Sequence, residues 1–412
     1  MAGHSVEGRM RVLMLSWEYP PHIVGGLGKH VNELVPALGQ EGVEVHLLTP
    51  GWVGGNHRQQ VGNATIYRVD PPPHSELTDF FSDAQRTNWL LQAQGRTLVQ
   101  TLQQSAGNFD IIHAHDWLVA FAAIALKNEF KIPLLATIHA TEHGRNRGDV
   151  GSDISQSVHS TEWWLCYEAW RIICCSQFMA DEVASALRSP RNKIDVIPNG
   201  IETTRFDELA GADLRAFRAR YAEPDEQIVF HVGRIVHEKG TRVLVEAAPR
   251  VLVGYPKTKF VVAGTGGYLD SARRRAQDLG VASSFSFTGF IPDADRDRLF
   301  KIANVAVFPS LYEPFGIVAL EAMAARTPVV VSNVGGLAEV VTHNETGLVV
   351  YPDNPDSLAW GILETLRHPD WAAARVDNAY RRVVTEYNWR SIARRTIDVY
   401  TRIARELAVA VW

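Results

Sequence analysis

Short apolar runs alternate with stretches of helical spacing along almost the whole chain, and that alternation restricts the folds open to it. Candidate strands fall at 12–15, 45–48, 111–113, 134–138, 171–174 and 194–197. A second series follows at 228–232, 260–263, 285–288, 305–308, 329–331 and 347–350. Most are continuous rather than alternating, as expected of parallel strands covered on both faces. Between them Leu27, Val31, Leu34, Val35 and Leu38 repeat at helical spacing, as do Leu299, Ile302 and Ala303. Pro36 inside the first of these removes a backbone hydrogen bond and predicts a kink. The pattern argues for a doubly wound α/β architecture, with strands enough for two sheets. At about 150 residues per domain, 412 residues give two or three domains. Apolar periodicity lapses between Asn199-Gly200 and about Asp225, which marks the boundary. There is no internal repeat and no low-complexity tract.

The formal charge of −5 argues against a general nucleic-acid binder. No apolar run approaches the ~18 residues of a membrane span. The start, Met1 to Arg9, lacks the apolar centre of a signal peptide, so a cytoplasmic protein without an integral membrane segment is expected. Three cysteines, Cys166, Cys174 and Cys175, give neither a disulfide framework nor a typical zinc site, and the last two are expected to be buried thiols.

In open α/β sheets ligands bind beyond the carboxyl ends of the strands, so the residues just after each strand carry the functional information. Glu313-Pro-Phe-Gly-Ile-Val-Ala-Leu-Glu321 places two carboxylates around a helix start near Gly316. Glu313 falls in the loop, and Glu321 lies roughly 7.5 Å along the helix axis from Gly316 at ~1.5 Å per residue. Between them the first-turn N–H groups of Gly316, Ile317 and Val318 are free to meet an anion. Taken alone, such a spacing arises often by chance. After the strand at 228–232, Arg234 and Lys239 stand five residues apart in a glycine-bounded loop. That suits a diphosphate leaving group, on which charge grows as its bond breaks, although a solvated basic loop reads the same way. After the first strand, Gly25 and Gly26 open a helix and are expected to supply a turn that a Cβ would hinder. An ordinary strand-to-helix turn has the same look, and the dinucleotide spacing G-x-G-x-x-G is absent.

His139 follows the strand 134–138, and His113, His115 and Asp116 follow another. The histidine spacing is not that of a zinc site, so no metal is expected. His139 and Asp116 read as lining a substrate, and His113 as a packed core histidine. Trp163-Trp164 could form a sugar platform, with core packing the plainer expectation.

Taken in order, Gly25-Gly26, His115-Asp116-Trp117, His139, Asn199-Gly200, Gly233-Arg234 with Lys239, Glu313 to Glu321, and Gly335-Gly336 resemble one family. The chain is similar, from about Arg11 to Tyr400, to the retaining glycosyltransferases of the GT-B fold that include glycogen and starch synthases. Within them it looks most like the bacterial glycogen-synthase-like α-1,4-glucosyltransferases of family GT4. The resemblance implies two Rossmann-like domains facing a deep cleft. Residues 1–200, completed by a returning helix at 388–412, would form the acceptor-side domain, and residues 201–387 the nucleotide-sugar-binding domain. It further implies that Arg234 and Lys239 neutralise the donor diphosphate, Glu321 binds the ribose, and Glu313 orients the transferring glucose. The amides of Gly316, Ile317 and Val318 and the Gly25-Gly26 loop would hold phosphate or sugar. His139 would stand beside the reacting carbon and Asp116 near the acceptor. Asn199-Gly200 would be the hinge, and Ser332 to Leu337 would complete the nucleotide side.

The expected reaction is metal-independent transfer of glucose from UDP-glucose or ADP-glucose to an α-1,4-glucan, with retention. The family's ADP-glucose branch carries Lys two positions before its Gly-Gly pair, where this chain has Ile23. The donor's base therefore stays open. So does the acceptor: a sugar phosphate, giving maltose 1-phosphate, or a lipid-linked sugar would fit the same fold. A non-catalytic nucleotide-sugar binder and an isomerase are further alternatives, and the intact Arg234, Lys239, Glu313 and Glu321 set argues against the first.

Overall fold

The computed structural model describes residues 9–73, 79–105 and 107–409. The amino-terminal stretch read above for a leader lies, but for Arg9, outside them. The chain forms two compact units, one of Met1–Gly200 with Trp389–Trp412 and the other of Ile201–Asn388.

The first unit is built on eight strands: β1 (Arg11–Leu15), β2 (Glu44–Pro50), β3 (Arg58–Val61), β4 (Ala64–Val69), β5 (Ile111–His115), β6 (Leu134–Ile138), β7 (Arg171–Cys174) and β8 (Ile194–Val196). Their order is β3-β4-β2-β1-β5-β6-β7-β8. Every neighbouring pair is parallel except β3 with β4. The chain winds outward from β1 in one direction through β2 and β4, and in the other from β5 through β6, β7 and β8. The switch point of this doubly wound sheet therefore lies between β1 and β5, the place beyond whose strand ends open α/β sheets bind ligands. The loops after β1 and β5, carrying Gly25 and Asp116, leave from there.

The second unit has six strands: β9 (Gln227–Val232), β10 (Thr258–Ala263), β11 (Phe285–Gly289), β12 (Val305–Phe308), β13 (Val329–Ser332) and β14 (Leu348–Val350). All pairs are parallel, in the order β11-β10-β9-β12-β13-β14. Its switch point falls between β9 and β12. The loops that follow these two strands carry Arg234 with Lys239, and Glu313.

Helix Trp389–Leu407 belongs to the first unit. It buries Trp389, Ile392, Val399, Tyr400 and Ile403 in the same core as Leu27, Val31, Leu34 and Leu38 of helix Gly26–Gln40. Full burial of an aliphatic side chain contributes about 1.5–3 kcal/mol, so this stripe alone fixes the helix. Gly200 is required by that packing, because a Cβ there would stand 2.7 Å from the Trp389 ring.

Two strands were not expected. β3 is a polar, exposed edge strand, and β4 mixes Thr65, Tyr67 and Arg68 among its apolar residues. Neither presents the continuous apolar run by which the other twelve were found. Helix Gly26–Gln40 continues through Pro36 for a further turn. Cys166, Cys174 and Cys175 are buried free thiols, and burial pushes Cys166 up to about 12. Among the described residues no helix is long and apolar enough to cross a membrane.

Candidate active-site residues of the two units

In the second unit, the loops after β9 and β12 are locked together by backbone. Gly240 sits at φ +69°, and a Cβ on it would lie 1.8 Å from the Pro309 carbonyl oxygen. Only glycine lets the two loops approach so closely. The Leu311 N–H donates to the Glu238 carbonyl at 2.7 Å. This contact brings the Lys239 ammonium to the Glu313 carboxylate, Nζ to Oε2 at 2.8 Å. Ser310 Oγ donates to the same oxygen at 3.3 Å. Arg234 is mostly exposed and reaches only Glu238, at 3.4 Å. Of the two cations expected as a pair, Lys239 is thus held in place and Arg234 projects outward.

Gly316, at φ +107°, caps helix Ile317–Ala324. The segment after β13 closes on this turn: the Gly336 N–H donates to the Glu313 carbonyl at 2.9 Å. A Cβ on Gly336 would lie 2.4 Å from Phe315 Cα. Glu321, one turn into the helix, is 1% exposed. Its Oε1 accepts from Arg205 Nη2 at 3.0 Å and stands 3.4 Å from Arg296 Nη2. Asp297 shares both guanidiniums, and burial raises its carboxyl above the usual range while the two arginines oppose the rise. Ser310, Arg205 and Arg296 were not found from sequence. The two arginines lie far from Glu321 along the chain, and no motif marks them.

In the first unit, Glu18 organises the loop after β1. Its Oε2 accepts the N–H groups of Val24 at 2.8 Å and Gly25 at 3.0 Å. Gly25 itself is extended, at φ −150°, with nothing within 4 Å of a Cβ built on it. The expectation that it supplies a turn a Cβ would hinder is therefore corrected: it leaves open space instead. Gly28 is the crowded glycine, since a Cβ there would meet the Glu18 carboxylate at 2.6 Å. The unexpected strand β4 also contributes, as Arg68 Nη2 donates to the Pro20 carbonyl at 2.6 Å.

Asp116, after β5, adopts φ +60°, ψ 175°, an uncommon conformation for a residue with a Cβ. Its carboxylate accepts the His139 N–H at 2.7 Å and shapes the loop after β6. Burial raises Asp116 to about 6, against the pull of Arg145 and the His139 and Ala140 amides. Glu162 lies close by and is almost wholly buried, with both carboxyl oxygens accepting the Glu142 N–H at 2.9 and 3.0 Å. Burial pushes it up to about 8, with Arg145 opposing.

His139 Nε2 lies 3.1 Å from His115 Nδ1. His30, on helix Gly26–Gln40, joins them with ring centroids 4.8 Å from His139 and 5.5 Å from His115. Burial lowers both His30 and His139 to about 3, so these imidazoles are neutral at ordinary pH. His113 is packed, its nitrogens 2.8 Å from Tyr400 Oη and 2.7 Å from Thr137 Oγ1. Asn199 Oδ1 stands 2.7 Å from His30 Nδ1. Of the two adjacent tryptophans, Trp164 packs against Phe121, whereas Trp163 is 43% exposed and stacks on Tyr167 at 5.3 Å. Trp164 is half-buried, so neither of the pair lies fully in the core.

Residues 24–205 match the family model for Glycosyltransferase Family 4, and residues 214–382 match that for Glycosyl transferases group 1. An uncharacterized glycosyltransferase of Methanocaldococcus jannaschii is 37% identical over 97% of this chain and 99% of its own. The chain belongs to the family 4 glycosyltransferases. A glycogen synthase of Mycobacterium tuberculosis is 35% identical to this glycosyltransferase, over 96% of this chain and 95% of its own. An alpha-maltose-1-phosphate synthase of Mycolicibacterium smegmatis is 30% identical, over 96% and 100%. Among solved structures, a sucrose-phosphate synthase from Thermosynechococcus elongatus superposes with a TM-score of 0.79 at 26% identity, covering 96% of this chain and 99% of that one. The two parallel-sheet α/β units of this glycosyltransferase are those of the GT-B fold.

Proposed function

We propose that this glycosyltransferase moves glucose from UDP-glucose or ADP-glucose to an α-1,4-glucan acceptor, with retention and without a divalent metal. The observation that carries the reading is the Lys239–Glu313 pair at 2.8 Å, held at the switch point of the second sheet beside the N-terminus of helix Ile317–Ala324. An ammonium, an anion-binding helix terminus and a sugar-orienting carboxylate are the groups that a nucleotide-sugar donor requires. In this reading Lys239 and Arg234 meet the diphosphate, with the amides of Gly316, Ile317 and Val318 beside them. Glu321, held by Arg205 and Arg296, binds the ribose hydroxyls, and Glu313 orients the glucose. His139 stands beside the reacting carbon as a neutral imidazole, with Asp116 fixing its backbone and Gly25-Gly26 leaving room for sugar or phosphate.

The anomeric C1–O bond to the β-phosphate breaks and a C1–O bond to the acceptor hydroxyl forms on the same face. The acceptor proton passes to the departing phosphate oxygen, and Lys239 balances the charge that collects there. A cytoplasmic location is part of this reading.

The similarity to an alpha-maltose-1-phosphate synthase favours a second reading, with a sugar phosphate as acceptor. Incubation with each donor and either maltooligosaccharide or glucose 1-phosphate separates the two. Chain extension by one glucose, with an α-anomeric proton signal in the product, supports the glucan reading. Extension only of the sugar phosphate overturns it. Full activity after EDTA treatment is expected, and its loss with recovery on adding magnesium would contradict metal independence.

A further inference from the structure

Four histidines come together under the first sheet's switch point, and glycosyl transfer as described uses one of them. His30, His115 and His139 each offer a ring nitrogen, and these three atoms all lie within 4.8 Å of one another. We propose that this triad is a binding site for zinc(II), with three imidazoles as ligands and a water or anion in the fourth position.

The distances suit that ion. Tetrahedral Zn–N bonds of ~2.05 Å place ligand nitrogens roughly 3.3 Å apart. His115 Nδ1 and His139 Nε2 already stand at 3.1 Å. His30 is the ring that has to draw inward, and it sits in face-to-edge contact with His139. Its tautomer is set for ligation: Nδ1 faces Asn199 Oδ1 at 2.7 Å and therefore carries the proton, which leaves the Nε2 lone pair for a metal. An oxygen partner on the non-ligating nitrogen is the usual second layer of a metal-bound histidine. Ligation through Nδ1 puts the His115 proton on Nε2, which is buried and has no hydrogen-bond partner among the described residues, so this ring lacks the outer oxygen partner that His30 has. His113 takes no part, because Tyr400 and Thr137 occupy both of its nitrogens.

Without an ion, one of the two nitrogens in the His115–His139 contact carries the hydrogen-bonding proton, and ligation moves it to that ring's other nitrogen. Arg145 opposes a cation at His139. Asp116, bonded to the His139 amide, favours it. Zinc at this site would hold His139 and so inhibit transfer; that consequence rests on the functional reading above, whereas the binding does not.

The test is calorimetric titration of the full chain with zinc chloride in a non-coordinating buffer at neutral pH, without donor or acceptor. One ion per chain is expected. His30→Ala and His115→Ala should each weaken affinity more than about tenfold, and Asn199→Ala about tenfold, the range for outer-layer partners. Circular dichroism checks that the variants fold. Cobalt(II) added to the unaltered protein gives a second readout, an intense visible band for a tetrahedral nitrogen-rich site. No binding, affinity undiminished in both histidine variants, or a weak octahedral cobalt spectrum would each overturn the proposal. Because neither readout uses the transfer reaction, a failed activity assay leaves this result standing.

Discussion

Replacing Lys239 by Met separates the structural from the catalytic part of the Lys239–Glu313 pair. The substitution keeps an unbranched apolar stem and removes the ammonium from Glu313, whose side chain is 9% exposed. Breaking a fully buried pair by removing one partner costs about 3–5 kcal/mol. Here the lysine side chain is 22% exposed and Ser310 Oγ still donates to the carboxylate, so the cost is smaller, about 2 kcal/mol. For a unit of this size that corresponds to a melting temperature lower by roughly 4–8 °C. Adding Glu313→Gln removes the stranded charge, and the double variant should recover to within about 0.5 kcal/mol of the native protein. Activity should not recover. Loss of one preorganised charge-stabilising group costs roughly 10²–10³ in turnover, and the double variant stays at least that low. Scanning calorimetry and steady-state kinetics on the four proteins of this cycle check both parts. Additive stabilities, with the double variant less stable than either single one, would refute the coupling. Near-normal turnover in Lys239→Met would refute the leaving-group role.

Glu321→Ala should weaken binding of free UDP or ADP by about tenfold or more, as expected when a charged hydrogen-bond partner is lost; titration showing unchanged affinity contradicts the ribose assignment. Gly240→Ala forces a Cβ against the Pro309 carbonyl at a positive φ. It should lower stability by about 3 kcal/mol and turnover more than tenfold, since the displaced loop carries Lys239; a variant with native melting and turnover would show that the loops can part. Glu162 is held at about 8 against an ordinary 4.5, so between those values the folded protein binds more protons than the unfolded one and stability falls as pH rises. Over pH 5 to 7.5 this group alone should remove about 3 kcal/mol. His30 and His139, lowered to about 3 from 6.5, work the other way: their contribution is present above pH 6.5 and is lost as pH falls. The comparison is therefore between the native protein and Glu162→Gln by urea unfolding at the two pH values. The variant should gain relative stability toward pH 7.5, and parallel profiles would contradict the burial-driven shift.

What the sequence made legible follows from how each feature is encoded. Strands buried on both faces appear as continuous apolar runs, so β9 and β12, and with them the switch point holding Lys239 and Glu313, could be found. β3 and β4 could not, because an edge strand with Arg58, Gln59 and Gln60 and a neighbour carrying Thr65 and Arg68 show no such run. Residues that follow a strand end were legible for the same reason as the strands. Groups that support them were not. Glu18 holds the Gly25 loop through backbone amides, and Arg205 reaches Glu321 from a short helix. His30 lies on the solvent-concealed face of a helix whose apolar spacing was read only as core, so the triad with His115 and His139 emerged from folding. Gly25 is legible as part of a distinctive loop, but the conformational need that a glycine suggests is one this extended backbone does not have.

Transfer from a nucleotide-glucose to a glucan at the Lys239–Glu313 site is the reaction proposed for this glycosyltransferase. It is tested most directly by measuring nucleotide release from UDP-glucose and ADP-glucose, each with and without maltooligosaccharide. Release that depends on the glucan, occurs with at least one of the two donors and disappears in Lys239→Met is the result predicted. Release indifferent to the glucan, or none from either donor, would contradict it.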